Sequence, residues 1–189
     1  SDPGARAVAR VQDAGFSVVP VPGASAVITA LSASGLADGH FHFHGFLPTK
    51  SAARRASLES LRSVPGTLVF YEAPHRIAET LDDLAAVFEP VRELVVAREL
   101  TKMFEQIVRM PITEGPAWLA ADANRARGEF VLLVSAAPVA EGLSPEAERV
   151  LGLLLAELPV KQAAKLAAGI TGESKNALYE RALAMRDGE

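Results

Sequence analysis

The chain has 189 residues, 49% of them hydrophobic, no cysteine, and a formal charge of −4. That length and apolar content suit one or two domains with a real core, and the missing thiols exclude a disulfide framework or a thiolate metal site. No apolar run nears the roughly 18 residues of a membrane span and no secretion signal is recognisable, so a cytoplasmic, membrane-free protein is expected, and the mild negative charge leaves room only for local nucleic-acid-binding patches.

In chain order, Ala5 to Ala14 reads as a helix closed by Gly15, and Phe16 to Val21 as a short buried strand bounded by proline and glycine. Pro22-Gly23 breaks that run, and Ala24 to Ala33 predicts a small-residue helix ending at Gly35. This alternation predicts an α/β layer structure. A second unit begins near His40: a strand to Leu47, a helix from Ser51 to Arg62, and a buried strand from Thr67 to Tyr71. Pro74 suits a first helical turn, after which Ile77, Leu81, Leu84 and Phe88 recur at helical spacing. Glu93 to Arg98 and Phe104 to Met110 read as strands, Glu114 to Asp122 as a helix, and Glu129 to Val134 as the closing strand.

Ala136 to Ser144 has the composition of a linker, and all that follows reads as helical. One helix starts at Ser144-Pro145-Glu146 and stops at Pro159. Lys161 to Ala168 and Ser174 to Met185, joined by a Gly169 to Gly172 turn, resemble a helix-turn-helix. The domains expected are 1–38, 39–137 and 144–189.

Several chemistries are excluded by absent motifs: there is no Gly-Lys phosphate loop, no Gly-x-Gly-x-x-Gly and no His-Glu-x-x-His. Gly23-Ala24-Ser25-Ala26-Val27 begins like a nucleophile elbow but lacks its second glycine. His40, His42 and His44 share one strand face; three adjacent histidines in one strand surround an ion poorly and no carboxylate lies beside them. A half-exposed strand face is the reading, and no metal is assigned. Pro22, Gly23, Ala24, Ser25 and Ala26 run from a predicted strand end into small residues at a helix start, where a ligand can approach the backbone. A simple tight turn is the competing reading.

Those residues, with Ala30-Leu31-Ser32-Ala33-Ser34-Gly35-Leu36, resemble the segment of the tetrapyrrole-methylase superfamily that lines its adenosylmethionine cleft. Gly45-Phe46-Leu47-Pro48-x-Lys50, Phe70-Tyr71-Glu72-Ala73-Pro74-His75-Arg76, Ala97-Arg98-Glu99-Leu100-Thr101-Lys102, Arg127-Gly128-Glu129-Phe130-Val131 and Lys175-Asn176-x-Leu178-Tyr179 follow in the order of its RNA-modifying branch. The resemblance covers nearly the whole chain. It implies a tetrapyrrole-methylase-like α/β fold of two domains with a C-terminal helical, helix-turn-helix-like tail. Ser1-Asp2-Pro3-Gly4 resembles the end of a Ser-Asp-Ala-Gly-Thr-Pro loop, so the first domain is expected to be incomplete and cofactor binding weakened.

The implied activity is methyl transfer from S-adenosylmethionine to the ribose 2′-hydroxyl of a cytidine in small-subunit ribosomal RNA, by a homodimer. The alternatives are a tetrapyrrole methyltransferase and a non-catalytic helix-turn-helix protein. Besides the Pro22 to Ala26 segment, the resemblance puts Tyr71, Glu72, Gly128 and Glu129 on the cofactor side; Tyr71 is alternatively ordinary core. Glu99, between Arg98 and Lys102 at a predicted strand end, is a candidate base or ribose-positioning group; a structural ion pair is the competing reading. Lys50, Arg54, Arg55, His75, Arg76, Arg98, Lys102, Arg125 and Arg127 are candidates for RNA, or else solvated surface charges. Lys161 to Arg186 holds five basic residues against Glu173 and Glu180, suiting either RNA docking or simple packing.

Overall fold

Three near-continuous apolar runs can be satisfied only where both faces of a strand are covered, and they form the centre of one sheet. They are β2 (Thr67–Glu72), β3 (Glu93–Arg98) and β5 (Phe130–Val134), flanked by the half-exposed β1 (Phe41–Phe46) and β4 (Gln106–Pro111) in the order β1-β2-β5-β3-β4. β1 runs parallel to β2; the other pairs are antiparallel. The computed structural model describes residues 4–36, 38–138 and 142–187, and the chain divides into two units, Ser1–Ala137 and Pro138–Glu189.

Alternation along each strand sorts side chains between two apolar layers. Leu68, Phe70, Leu94, Val96, Leu132 and Val134 point to one face and bury against α3 (Ser51–Ser60), α4 (Ile77–Val87) and α5 (Gly115–Ala120). Val69, Val95, Ala97, Val131 and Leu133 point to the other, where α2 (Ala26–Ser34), the helix after α1 (Gly4–Asp13), packs Val27 and Ala30 against them. α2 stops at Gly35, whose φ of 70° is the left-handed closure that glycine adopts without strain.

Two arginines are built into this unit rather than displayed on it. Arg54 of α3 is buried and donates to Asp83 (2.5 Å) and Glu79 (3.1 Å) of α4 and to the Thr49 carbonyl, so it clamps the two helices together. Arg92, also buried, donates to Glu89 and to the Ser135 and Arg62 carbonyls, and its guanidinium lies 4.6 Å from the Phe88 ring centroid.

The second unit has its own core. α6 (Pro145–Leu155), α7 (Val160–Thr171) and α8 (Lys175–Asp187) bury Ala147, Leu151, Ala163, Ala164, Ala167, Leu178 and Ala182. Ser144 caps α6 by accepting from the Ala147 amide.

The structure corrects four expectations. Residues 16–21 form no strand: Phe16, Val19 and Val21 are 70, 81 and 88% exposed, because no strand among the described residues lies beside them to complete a ladder. The segment Gly169–Thr171 is not a turn but the end of α7, where the Thr171 hydroxyl donates to the Ala167 carbonyl; only Gly172, at φ 76°, breaks the helix. Pro74 lies in the turn before α4. β4 starts at Gln106 rather than Phe104, since the residues before it are taken up by a tight loop. Parts of the expected linker (139–141) and of the opening Ser1 to Gly4 motif (1–3) lie outside the described residues.

Candidate active site

The carboxyl ends of β1, β2 and β3 meet the start of β5 around a cavity of about 430 Å³. Each wall comes from a different element. β1 gives Phe46; β2 and its following turn give Tyr71, Glu72, Ala73 and Pro74; β3 and its loop give Ala97 and Leu100. β5 supplies Glu129, Phe130 and Val131, and Ala26 closes the cavity from the first turn of α2. A register irregularity between Phe43 and Gly45 turns Phe46 onto the side of Phe43, so both rings meet Tyr71, at 5.7 and 4.9 Å. That leaves His42 and His44 adjacent on the opposite face, with His44 near Phe70 and Ser57. Burial, and then His42, lowers the pKa of His44.

Glu72 fixes the floor. Its side chain is fully buried; one oxygen accepts from the Thr80 hydroxyl (2.7 Å), the other from the Ala73 amide (2.8 Å), with Arg76 in ion-pair range at 3.3 Å. Arg76 in turn donates to the Leu47 and Pro48 carbonyls. The Phe70 to Arg76 and Gly45 to Lys50 motifs are thereby tied into one corner.

The rim is set by Glu99. Its Oε1 accepts from the Glu129 amide (2.9 Å) and from Lys102 Nζ (2.8 Å), while Lys102 also bonds Glu129 (3.0 Å). Hydrogen bonds from Lys102 and the Glu129 amide hold the Glu99 carboxyl below its ordinary range, and the same two carboxylates raise Lys102. Glu99 and Thr101 take φ of 53° and 64°, a conformation costing non-glycine residues on the order of 1–3 kcal/mol each. Gly128, at φ 96°, lies against the Glu99 side chain: a Cβ there would come within 2.4 Å of it. The rim thus needs a glycine at 128 for two reasons, backbone and space.

Of the residues read from sequence, Ala26, Tyr71, Glu72 and Glu129 line the cavity, with Gly128 and Glu99 on its rim. Pro22, Gly23, Ala24 and Ser25 are exposed, and a side chain at Gly23 would meet nothing within 4 Å. Arg98 donates to the Arg127 carbonyl at 2.6 Å, and Arg125 reaches the Trp118 carbonyl and ring. Lys50, His75 and Arg127 are exposed, and Arg55 is exposed but bonded to Asp83. Arg54 is 1% exposed and Arg76 is engaged by backbone, so neither guanidinium is presented to a ligand. Sequence reasoning missed Phe46, Ala73, Pro74, Ala97, Leu100, Phe130 and Val131; their signal was position at strand ends inside quoted motifs. Among the described residues no His/Asp/Glu group is arranged to hold a metal ion.

A mixed five-stranded sheet with a cleft at its strand ends and an appended three-helix unit defines the class. The chain belongs to the tetrapyrrole (corrin/porphyrin) methylases, which match residues 1–115, and residues 141–186 match the RsmI C-terminal HTH domain. More particularly, it is 53% identical over 186 residues to the ribosomal RNA small subunit methyltransferase I of Pseudomonas aeruginosa, covering 97% of this chain and 66% of that protein. It is 49% identical over 184 residues to the protein of the same name from Escherichia coli O157:H7, covering 97% and 64%. The chain thus spans somewhat less than two thirds of the length of these relatives. Among solved structures, the cobalamin biosynthetic enzyme cobalt precorrin-4 methyltransferase CbiF aligns with a TM-score of 0.50 at 14% identity, over 69% of this chain and 57% of that one. At that identity the likeness is one of fold.

Proposed function

We propose that the chain is the greater part of an S-adenosylmethionine-dependent methyltransferase acting on the ribose 2′-hydroxyl of a cytidine in small-subunit ribosomal RNA. The observation that carries this reading is the convergence of five separate sequence segments on one cavity, in a chain 53% identical to a protein named for that activity class. In this reading 1–38 is the remainder of a first cofactor domain, 39–137 the second domain and 144–189 a helical RNA-docking domain. The protein would act in the cytoplasm as a homodimer; among the described residues no helix is long and apolar enough to cross a membrane.

The residues present fit the cofactor. A cavity of about 430 Å³ is in the range of small-molecule sites, and its wall of alanine, valine and leucine suits a flat heterocycle. The Phe46 and Tyr71 rings and the Glu129 carboxylate suit a cation. When bound, the cofactor supplies a methyl carbon activated by its sulfonium. The protein's part is to hold acceptor oxygen and donor in line and to exclude water. Glu72, with both oxygens occupied internally, holds the floor. For Glu99 the geometry supports positioning over proton abstraction, since a carboxylate bonded to Lys102 and held below its ordinary pKa is a weak base. Exposed Lys50, His75 and Arg127 are left for phosphate contacts, with Lys161, Lys165 and Lys175 on the helical unit.

Methyl incorporation from labelled cofactor, with the complete gene product, into small ribosomal subunits that lack the modification tests the reading. Labelled RNA is expected. Transfer to a porphyrinogen instead, or no calorimetric binding of S-adenosylmethionine, overturns it.

A further inference from the structure

We propose that the loop Glu99 to Glu105 is a preset finger that stacks Phe104, with Met103 beside it, on an unpaired nucleobase of the RNA. The inference rests on the RNA reading above and deepens it. Met103 and Phe104 are 91 and 69% exposed, and neither joins an apolar cluster among the described residues. Their surroundings are the reverse of a floppy loop. The Lys102 amide donates to the Glu99 carbonyl and the Glu105 amide to the Lys102 carbonyl, giving two linked turns. The Thr101 amide donates to the Glu105 carboxylate at 2.6 Å, and Lys102 is pinned between Glu99 and Glu129. Two left-handed non-glycine residues are retained to shape this loop. A loop so closely hydrogen-bonded that carries two wet apolar side chains is explained if the side chains are the purpose: their ordering cost has been met before the partner arrives.

The charge around the tip selects the partner. Arg98 bonds the Arg127 and Phe104 carbonyls, and among the described residues no carboxylate pairs with it or with the exposed Arg127. Arg98 acts electrostatically on Glu99, so the cation left for a phosphate is the exposed Arg127; an exposed aromatic next to such a guanidinium is the chemistry that grips single-stranded RNA, the ring taking a base and the cation its phosphate. Leu100 of this loop and Glu129, to which Lys102 bonds, both lie in the cavity wall, so a base stacked there flanks the nucleotide whose ribose enters.

Fluorescence anisotropy of the full chain with a labelled single-stranded RNA of about 12 nucleotides tests this. Phe104→Ala is expected to weaken binding roughly five- to a hundredfold, as loss of one base–aromatic stack does, and Phe104→Trp to retain it. Met103→Ala should lose less. All three should melt with the unaltered chain, since these side chains support no core. If Phe104→Ala binds normally while Arg127→Ala is impaired, the finger is wrong and the RNA reading stands. If Phe104→Ala changes only the sedimentation state, the tip serves a second copy and the finger is again wrong. Should the unaltered chain ignore the oligonucleotide, the RNA reading itself falls.

Discussion

Two ionic networks in the first unit use the same ingredients and do different work. The interior one joins Arg54 and Arg55 of α3 to Asp83 and Glu79 of α4, with Arg54 and Asp83 both nearly inaccessible. The rim one joins Glu99, Lys102 and Glu129 in largely wet surroundings, on backbone held in left-handed conformations. Burial makes the first a matter of stability, because an orphaned interior charge cannot recover its hydration. Exposure makes the second a matter of shape, because water replaces a lost partner cheaply while the loop loses its geometry.

Asp83→Ala gives the largest expected effect. It leaves buried Arg54 with Glu79 and the Thr49 carbonyl and removes the partner of Arg55, and broken interior pairs cost about 3–5 kcal/mol. Urea unfolding followed by Trp118, the single tryptophan and part of this unit, measures it. A loss no greater than that of an exposed pair would erase the distinction between the networks.

Glu89→Gln comes next and carries a pH signature. Burial pushes the Glu89 carboxyl up, but bonds from Arg62, its own amide and Arg92 outweigh this and hold it at about 2. Because the folded value lies below the ordinary 4.5, the contribution is present at neutral pH and is lost as pH falls from about 4.5 towards 2. Roughly 2 kcal/mol is expected, allowing for screening at the half-exposed Arg62. Acid titration of stability should show this loss in the unaltered chain and a flatter course in the variant.

Gly128→Ala probes the rim and should be milder in stability, about 1–2 kcal/mol, since displacing Glu99 into solvent relieves the clash and leaves the backbone strain at φ 96°. The displaced carboxylate should free Lys102, which a return of the Lys102 Nζ titration towards its ordinary value by NMR would report.

The contrast also explains what could be read beforehand. β2, β3 and β5 were legible to within a residue because continuous apolar runs with turn residues at their ends have few other solutions. Residues 16–21 have the same composition and failed, since a strand is a relation between two segments and composition supplies only one. The Lys50 to Arg55 cluster looked uniformly basic in one dimension. Asp83 and Glu79, which neutralise Arg54, lie 29 and 25 residues away and meet it only through helix packing. At the site, the motif order led to the strand ends that line the cavity, but the contacts of Glu72 to Thr80 and of Gly128 to Glu99 are ones that spacing cannot announce.

The smallest effect on stability, and the sharpest test of the comparison, belongs to Glu99→Gln. The amide keeps an oxygen for the Glu129 N–H and loses only the charge facing Lys102, so the melting temperature should not move. If Glu99 orients the loop, the variant should raise KM for the RNA several-fold and leave kcat and its pH profile intact. If it is the base, kcat falls and an acidic limb of the profile disappears. That limb would have to lie below the ordinary carboxylate range, because Lys102 and the Glu129 amide depress its pKa. An acidic limb near neutral pH that persists in Glu99→Gln must come from another group. One that vanishes with it would mean the rim network relaxes when RNA binds, and the line between shape and chemistry drawn here would be in the wrong place.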